Sequence, residues 1–222
     1  MTVQSADTIF VNGRVYVHKG RFETALAVAG ERVLAAGDDA TVRALASPAT
    51  RVVDLRGRLV TPGFNDAHVH FLDGGFGLLS VDLRDAKDEK DFASRIGGHA
   101  ATLPGGAWIL NGNWDHERWP SQALPTKDLI DGATRDNPVA VNRLDGHMIL
   151  ANSAALKAAG IDRNTKDPFG GTIVRDAAGE PTGILKDNAQ DILYKALPEP
   201  TREMNVRAAK AALAHAASLG VT

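Results

Sequence analysis

The chain has 222 residues, 44% hydrophobic and 23% charged, with a net charge of −2 and a sequence pI of about 6.4. These are the proportions of a globular protein with one full domain or two small ones, and they offer no basic excess to support a nucleic-acid or anionic-membrane partner. Cysteine is absent, so disulfides, thiolate metal sites and a cysteine nucleophile are excluded, and any metal must be held by His, carboxylate or a modified lysine. No apolar run approaches a bilayer span. The start, MTVQSADTIF, lacks the basic and apolar segments of a signal peptide, so a cytoplasmic location is the default.

Residues 7–17, DTIFVNGRVYV, predict two strands joined by a hairpin at Asn12 and Gly13, since both residues tolerate positive φ. Residues 24–36 repeat the device around Gly30 and Glu31. A turn or two of helix is expected over 39–45. Residues 51–60, RVVDLRGRLV, read as a further strand pair broken at Arg56 and Gly57. Short strands with tight turns this close together predict a small β-sandwich or β-sheet module over residues 1–60.

The stretch 59–70, LVTPGFNDAHVH, carries the first chemistry. On an extended strand successive side chains alternate faces, so His68 and His70 point the same way, with Val69 opposite. Two imidazoles on one face can share a metal ion or form one edge of a two-metal site, and zinc and its neighbours take imidazole and carboxylate ligands. An H-x-H pair by itself equally describes two ordinary surface histidines.

Residues 71–80 contain Gly74, Gly75 and Gly77 and read as a loop, either a flexible active-site loop or a set of tight turns. A helix is expected over 87–103, with Phe92, Ile96 and Leu103 buried, although Gly97 and Gly98 each cost about 1 kcal/mol relative to alanine. A short strand over 107–110 leads into NGNWDHERWP at 111–120. Its two tryptophans suit a substrate-binding wall around Trp114, or a loop pinned down by its rings. A short helix is expected over 126–131 with Thr126 as N-cap, then a buried strand over 138–141. His147 follows in NRLDGH, read as a substrate contact or as a structural histidine. The Ala- and Leu-rich run 148–160 reads as a helix closed by Gly160. Residues 170–189 predict a hairpin around 176–179 and then a helix start that includes Lys186. The clearest helix is 201–219, with Met204, Ala208, Ala211, Ala212, Leu213 and Ala216 on its apolar face.

Four phrases share one resemblance: PGFNDAHVH, the W-x-x-x-x-W loop at 114–119, RLDGH…NSAAL, and GTIVRDAAGEPTGILKDNA. Together they resemble the amidohydrolase superfamily, in its YtcJ-like branch, which includes N-substituted formamide deformylase. The resemblance runs over nearly all of this sequence but only the first part of a full-length relative. It implies an α/β architecture: an N-terminal β-sandwich module, then over 61–222 the start of a metal-dependent-hydrolase (β/α)8 barrel, incomplete, carrying an inserted α+β segment at about 80–190.

The resemblance also implies chemistry. His68 and His70 would be metal ligands, Lys186 a carboxylated bridging ligand (or else a surface lysine), and Trp114 and His147 substrate contacts. The cofactor would be a divalent metal, zinc foremost, as one or two ions. The reaction would be hydrolysis of a C–N bond in an amide, formamide or cyclic amide. The general-base aspartate and later metal histidines would lie beyond residue 222, so a truncated or fragmentary chain, inactive alone, is expected. The expected partners are a small amide-like substrate and a second copy in a homo-oligomer, with no nucleic acid and no membrane. Two alternatives stand beside this reading: a non-catalytic chain that folds and self-associates, and a deaminase using the same superfamily site.

Overall fold

The computed structural model describes residues 4–134 and 136–222. The chain forms two compact units, residues 1–67 with 219–222, and residues 68–218. No helix among the described residues is long and apolar enough to cross a membrane.

The first unit contains β1 (Ala6–Val11), β2 (Arg14–His18), β3 (Arg21–Glu23), β4 (Ala25–Ala29), β5 (Arg32–Gly37), α1 (Asp39–Arg43), β6 (Ala46–Asp54) and β7 (Leu59–Val60). They make two open sheets, ordered β5-β4-β1-β6 and β3-β2-β7. The expected hairpin at Gly30 is present, with β4 antiparallel to β5. The one expected at Asn12 and Gly13 is not: β1 pairs with β4 and β6, whereas β2 pairs with β3 and β7. Likewise β6 and β7 do not pair with each other. Instead two parallel ladders, β1 with β6 and β2 with β7, pass side by side from one sheet to the other. The crossing is held by Leu55 N–H to the Val11 carbonyl (2.8 Å), Gly57 N–H to Asn12 (2.7 Å) and Arg14 N–H to Arg58 (3.0 Å). Asn12 (φ 55°) and Arg56 (φ 52°) take left-handed conformations there. A side chain at Gly13 would collide with Leu55. The positive-φ signal was therefore real, but it bends the chain between sheets because its partner across the bend is residues 55–58. Asp38 caps α1, its carboxylate accepting from Thr41 N–H at 2.7 Å. Phe64 bridges in parallel to Val221.

The second unit contains α2 (Phe71–Leu78), α3 (Glu89–Ala100), β8 (Ile109–Trp114), α4 (Asp128–Thr134), β9 (Val139–Arg143), β10 (Met148–Ala151), α5 (Ser153–Ala158), β11 (Gly171–Arg175), β12 (Pro181–Asp187), α6 (Gln190–Tyr194) and α7 (Arg202–Ser218). One open sheet runs β11-β12-β10-β9-β8, antiparallel except for the parallel β8–β9 pair. Alternation along its strands divides the core in two. Val139, Val141, Leu150 and Ile184 face one way, onto Phe92 and Ile96 of α3 and Ile130 of α4. Ala140, Ile149, Ala151 and Leu185 face the other, onto Ala155 and Leu156 of α5 and Leu193 of α6. Each of the large side chains is fully or almost fully buried, worth about 1.5–3 kcal/mol apiece.

Four expectations change here. Residues 71–78 are helix, not loop. Gly75 lies against the backbone of α7 at Ala208, where a Cβ would collide with the carbonyl, so the glycine serves helix packing. Residues 148–160 are not one helix: β10 takes 148–151, and Asn152 caps α5, accepting from Ala155 N–H at 2.9 Å. The run MILA suits a buried strand as well as a helix, and pairing with Asn142, Val141 and Ala140 decides it. Lys186 lies in β12 rather than at a helix start. On α7, Ala208 and Ala212 are buried as expected, but Met204 and Leu213 are 46% and 59% exposed.

Asn152 has no exposed surface and its carboxamide is fully used. Oδ1 accepts from Val139 and Ala155 N–H, and Nδ2 donates to Thr134 Oγ1 and the Asn137 carbonyl, all at 2.9 Å. Asn152→Ala should therefore lower unfolding free energy by about 2–4 kcal/mol, since two backbone N–H groups and a hydroxyl lose buried partners; urea denaturation followed by tryptophan fluorescence measures it. His116 is also buried, against the edge of Trp114. Burial, then the Arg143 charge, lowers its pKa below the ordinary imidazole value. The unfolded ring then binds protons that the folded ring refuses, so stability falls as pH drops through about 6.5. Denaturation midpoints across that window should show a shallower slope in His116→Phe.

Candidate functional site

Residues 65–70 are not a strand, and among the described residues the bridge beside them is at Phe64. His68 and His70 thus do not meet by strand alternation. A bend at 67–68 followed by the start of α2 brings them together. Their ring centroids lie 5.5 Å apart at an interplanar angle of 52°. Two imidazoles on one tetrahedral zinc, each nitrogen about 2.0–2.1 Å from the ion, put ring centres about 5 Å apart. The pair therefore suits one shared ion. His70 occupies the N-cap position of α2, its carbonyl accepts from Gly74 N–H at 2.8 Å, and its Nδ1 stands 3.6 Å from Asp73 Oδ2. Among the described residues no group of three or more His, Cys, Asp or Glu side chains is arranged to hold a metal. The donor set fits one edge of a metal site, two ligands of the three that a catalytic zinc takes from protein.

Lys186 sits mid-ladder in β12, opposite Met148 on β10 and Thr172 on β11. Its neighbours Ile184 and Met148 belong to the α3/α4 side of the sheet, so Lys186 projects to that side. There its charge, after burial and that of Arg143, helps depress the pKa of His116.

Trp114 is fully buried. Its ring N–H donates to the Val141 carbonyl at 2.8 Å, and Trp119 donates to Ala86 at 3.0 Å, with the Phe92 ring 6.2 and 5.2 Å from the two. The tryptophans anchor the loop, and in this chain Trp114 presents no surface to a small molecule.

His147 stands at the entry to β10 with its ring exposed. Nδ1 lies 2.9 Å from Asp187 Oδ1. Its N–H donates to Asp145 Oδ1 at 3.0 Å and its carbonyl accepts from Asp187 N–H at 2.9 Å. Behind it Arg143, 13% exposed, pairs with Glu117 at 2.8 Å, with Asp115 at 3.5 Å and with Asp145 more closely. Burial opposes ionisation of Asp145, but the His147 N–H and Arg143 outweigh it and hold the carboxyl below its ordinary pKa. His116 Nδ1 and Arg143 Nε are buried without a hydrogen-bond partner. Sequence reasoning missed Arg143 and Asp187. Arg143 was signalled by the acids on either side of it in DHE and RLD, whereas Asp187 is forty residues from His147 and gave no local signal.

The amidohydrolase family matches residues 51–222. Protein LONG AFTER FAR-RED 3 of Arabidopsis thaliana is 37% identical over 94% of this chain and 36% of its own length. Putative amidohydrolase YtcJ of Bacillus subtilis is 38% identical over 79% of this chain and 33% of its own. N-substituted formamide deformylase of Arthrobacter pascens is 34% identical over 87% and 36%. The chain thus spans about a third of the length of these relatives. An uncharacterized metal-dependent hydrolase from Pyrococcus furiosus superposes with a TM-score of 0.68 at 28% identity, over 96% of this chain and 42% of that one. A second, from Pyrococcus horikoshii, gives 0.65 at 26% over 97% and 41%. The chain belongs to the amidohydrolase family as a YtcJ-like N-terminal portion.

Proposed function

We propose that this chain contributes one edge of the metal site of a hydrolase that cleaves a C–N bond in a small amide, formamide or cyclic amide. The observation that carries this is the adjacent pair His68 and His70, with ring centres 5.5 Å apart. Family membership supports hydrolysis, and the Arthrobacter relative's name supports a formamide-type substrate. On this reading the sheets of the first unit are part of a β-sandwich, and the second unit begins a (β/α)8 barrel with an inserted segment. His68 and His70 would hold a divalent ion, zinc foremost, and Lys186, if carboxylated, would add an oxygen ligand. A bound ion of this kind supplies Lewis acidity towards a carbonyl and an acidified water. The chain's own part is to fix two imidazoles beside each other and to offer His147 as an exposed polar contact. With two ligands in place of three, the 222 residues alone would not turn over.

Elemental analysis of the purified chain tests the site. We expect about one equivalent of zinc or a similar ion at saturation, lost in His68→Ala with His70→Ala while the far-ultraviolet circular dichroism stays unchanged. Retention of metal by the double variant would remove the assignment. In amine-release assays with N-substituted formamides and added zinc or manganese, the isolated chain should show no turnover above buffer. Turnover would overturn the two-ligand argument for inactivity.

A further inference from the structure

The His147–Asp187 pair is organised beyond what an exposed ion pair needs. Their side chains are 73% and 55% exposed, and a pair in that setting stabilises a fold by about 0–1 kcal/mol. Yet the histidine is fixed at three points: its N–H by Asp145, its carbonyl by Asp187 N–H, and its Nδ1 by the Asp187 carboxylate. The loop beneath is fixed as well. Arg143 grips Asp145, Gly146 N–H donates to the Arg143 carbonyl at 3.0 Å, and Gln190 Nε2 donates to the Gly146 carbonyl at 3.1 Å. Asp187 itself adopts a left-handed φ of 48° at the end of β12, a conformation uncommon for a non-glycine residue and often kept where a side chain must be aimed. The β10–β12 register sets Met148 opposite Lys186. Asp187 therefore falls beside His147 at the end of the ladder.

A carboxylate on Nδ1 decides which nitrogen of a neutral imidazole carries the proton. With Nδ1–H donated to Asp187, Nε2 is left as a bare acceptor on the solvent side of the ring. We infer that Asp187 is a positioning residue that holds His147 in the Nδ1–H form, so that Nε2 receives the N–H of an amide-type substrate. The substrate class rests on the C–N hydrolase reading; the tautomer does not. An imidazole in the commoner Nε2–H form would instead present a donor, and would suit a carbonyl or an anion.

Long-range 1H–15N correlation spectra of the histidine-labelled 222-residue chain, at a pH of about 8.5 where an ordinary imidazole is neutral, read the tautomer directly. His147→Gln assigns the resonance. We expect His147 in the Nδ1–H form, reverting mainly to Nε2–H in Asp187→Gly, a substitution that tolerates the positive φ. N-benzylformamide should shift the His147 Nε2 resonance saturably. N-benzyl-N-methylformamide, which has no N–H, should not, and Asp187→Gly should weaken the effect about three- to tenfold, as for one lost hydrogen bond. An Nε2–H ring in the unsubstituted chain, or equal shifts from the two formamides, would overturn the inference. Metal analysis at His68 and His70 is independent of both spectra. A chain that binds no metal but gives the expected tautomer and N–H selectivity would sink the hydrolase reading and leave this one standing.

Discussion

The carboxamide of Asn152 is the constraint on which the second unit depends. Its four hydrogen bonds join the start of β9, the end of α4 and the segment after it, and the first turn of α5. Burying an amide is unfavourable unless every donor and acceptor is used, and here every one is. The need for such a group follows from the sheet itself. A sheet with one wet face has its register set by apolar-in, polar-out alternation, because a slip by one residue exposes the core. This sheet is covered on both faces, and β9 reads Val139, Ala140, Val141 with all three buried. A slip would exchange apolar for apolar. The buried polar group supplies the discrimination that hydrophobicity cannot, since a slipped strand would leave Val139 N–H and the carboxamide unpaired.

The same two-sided alternation sorts the charged groups at the sheet's end. Arg143, Lys186 and the depressed imidazole of His116 gather on the α3/α4 side, where Asp115, Glu117 and Asp145 balance them. His147 and Asp187 lie together at the end of the β10–β12 ladder. Two residues 40 positions apart thus form one pair, and it is register, not sequence neighbourhood, that decides which groups can act together.

Much of this was legible in the chain. The tips at Gly30 and over 176–179, the strand after Pro138, the helices α3 and α7 and the buried Phe92 and Ile96 follow from local signals: turn residues, caps and periodicity. What was not legible depends on distant partners. Asn12 and Gly13 have the φ preference of a hairpin, but Leu55 and Gly57 capture the bend. The MILA run of β10 carries helix propensity, yet two flanking strands fix it as sheet. Trp114 looked available because it sits among polar residues, and it is buried because Phe92, twenty-two positions earlier, and the Val141 carbonyl claim it. Of the site, the imidazole pair was readable from H-x-H, but its geometry comes from a bend and a helix start instead of a strand.

That helix start changes the meaning of the glycines after His70. A loop rich in glycine would leave a ligand pair loosely held, and a metal site gains its precision from rigid support. Glycine costs a helix about 1 kcal/mol per residue relative to alanine, so three within eight residues argue for a loop unless packing compensates. Gly75 shows the compensation, since only a residue without Cβ lets α2 lie directly on the α7 backbone at Ala208. The contact fixes the axis of α2. His70 is the N-cap residue of that helix, its carbonyl held by Gly74 N–H at 2.8 Å, so the axis in turn fixes where the second imidazole begins. Gly75, which weakens α2 as an isolated helix, is thus the residue that seats it firmly, and through it steadies one of the two imidazoles, whereas Gly74 and Gly77 have open space beside them.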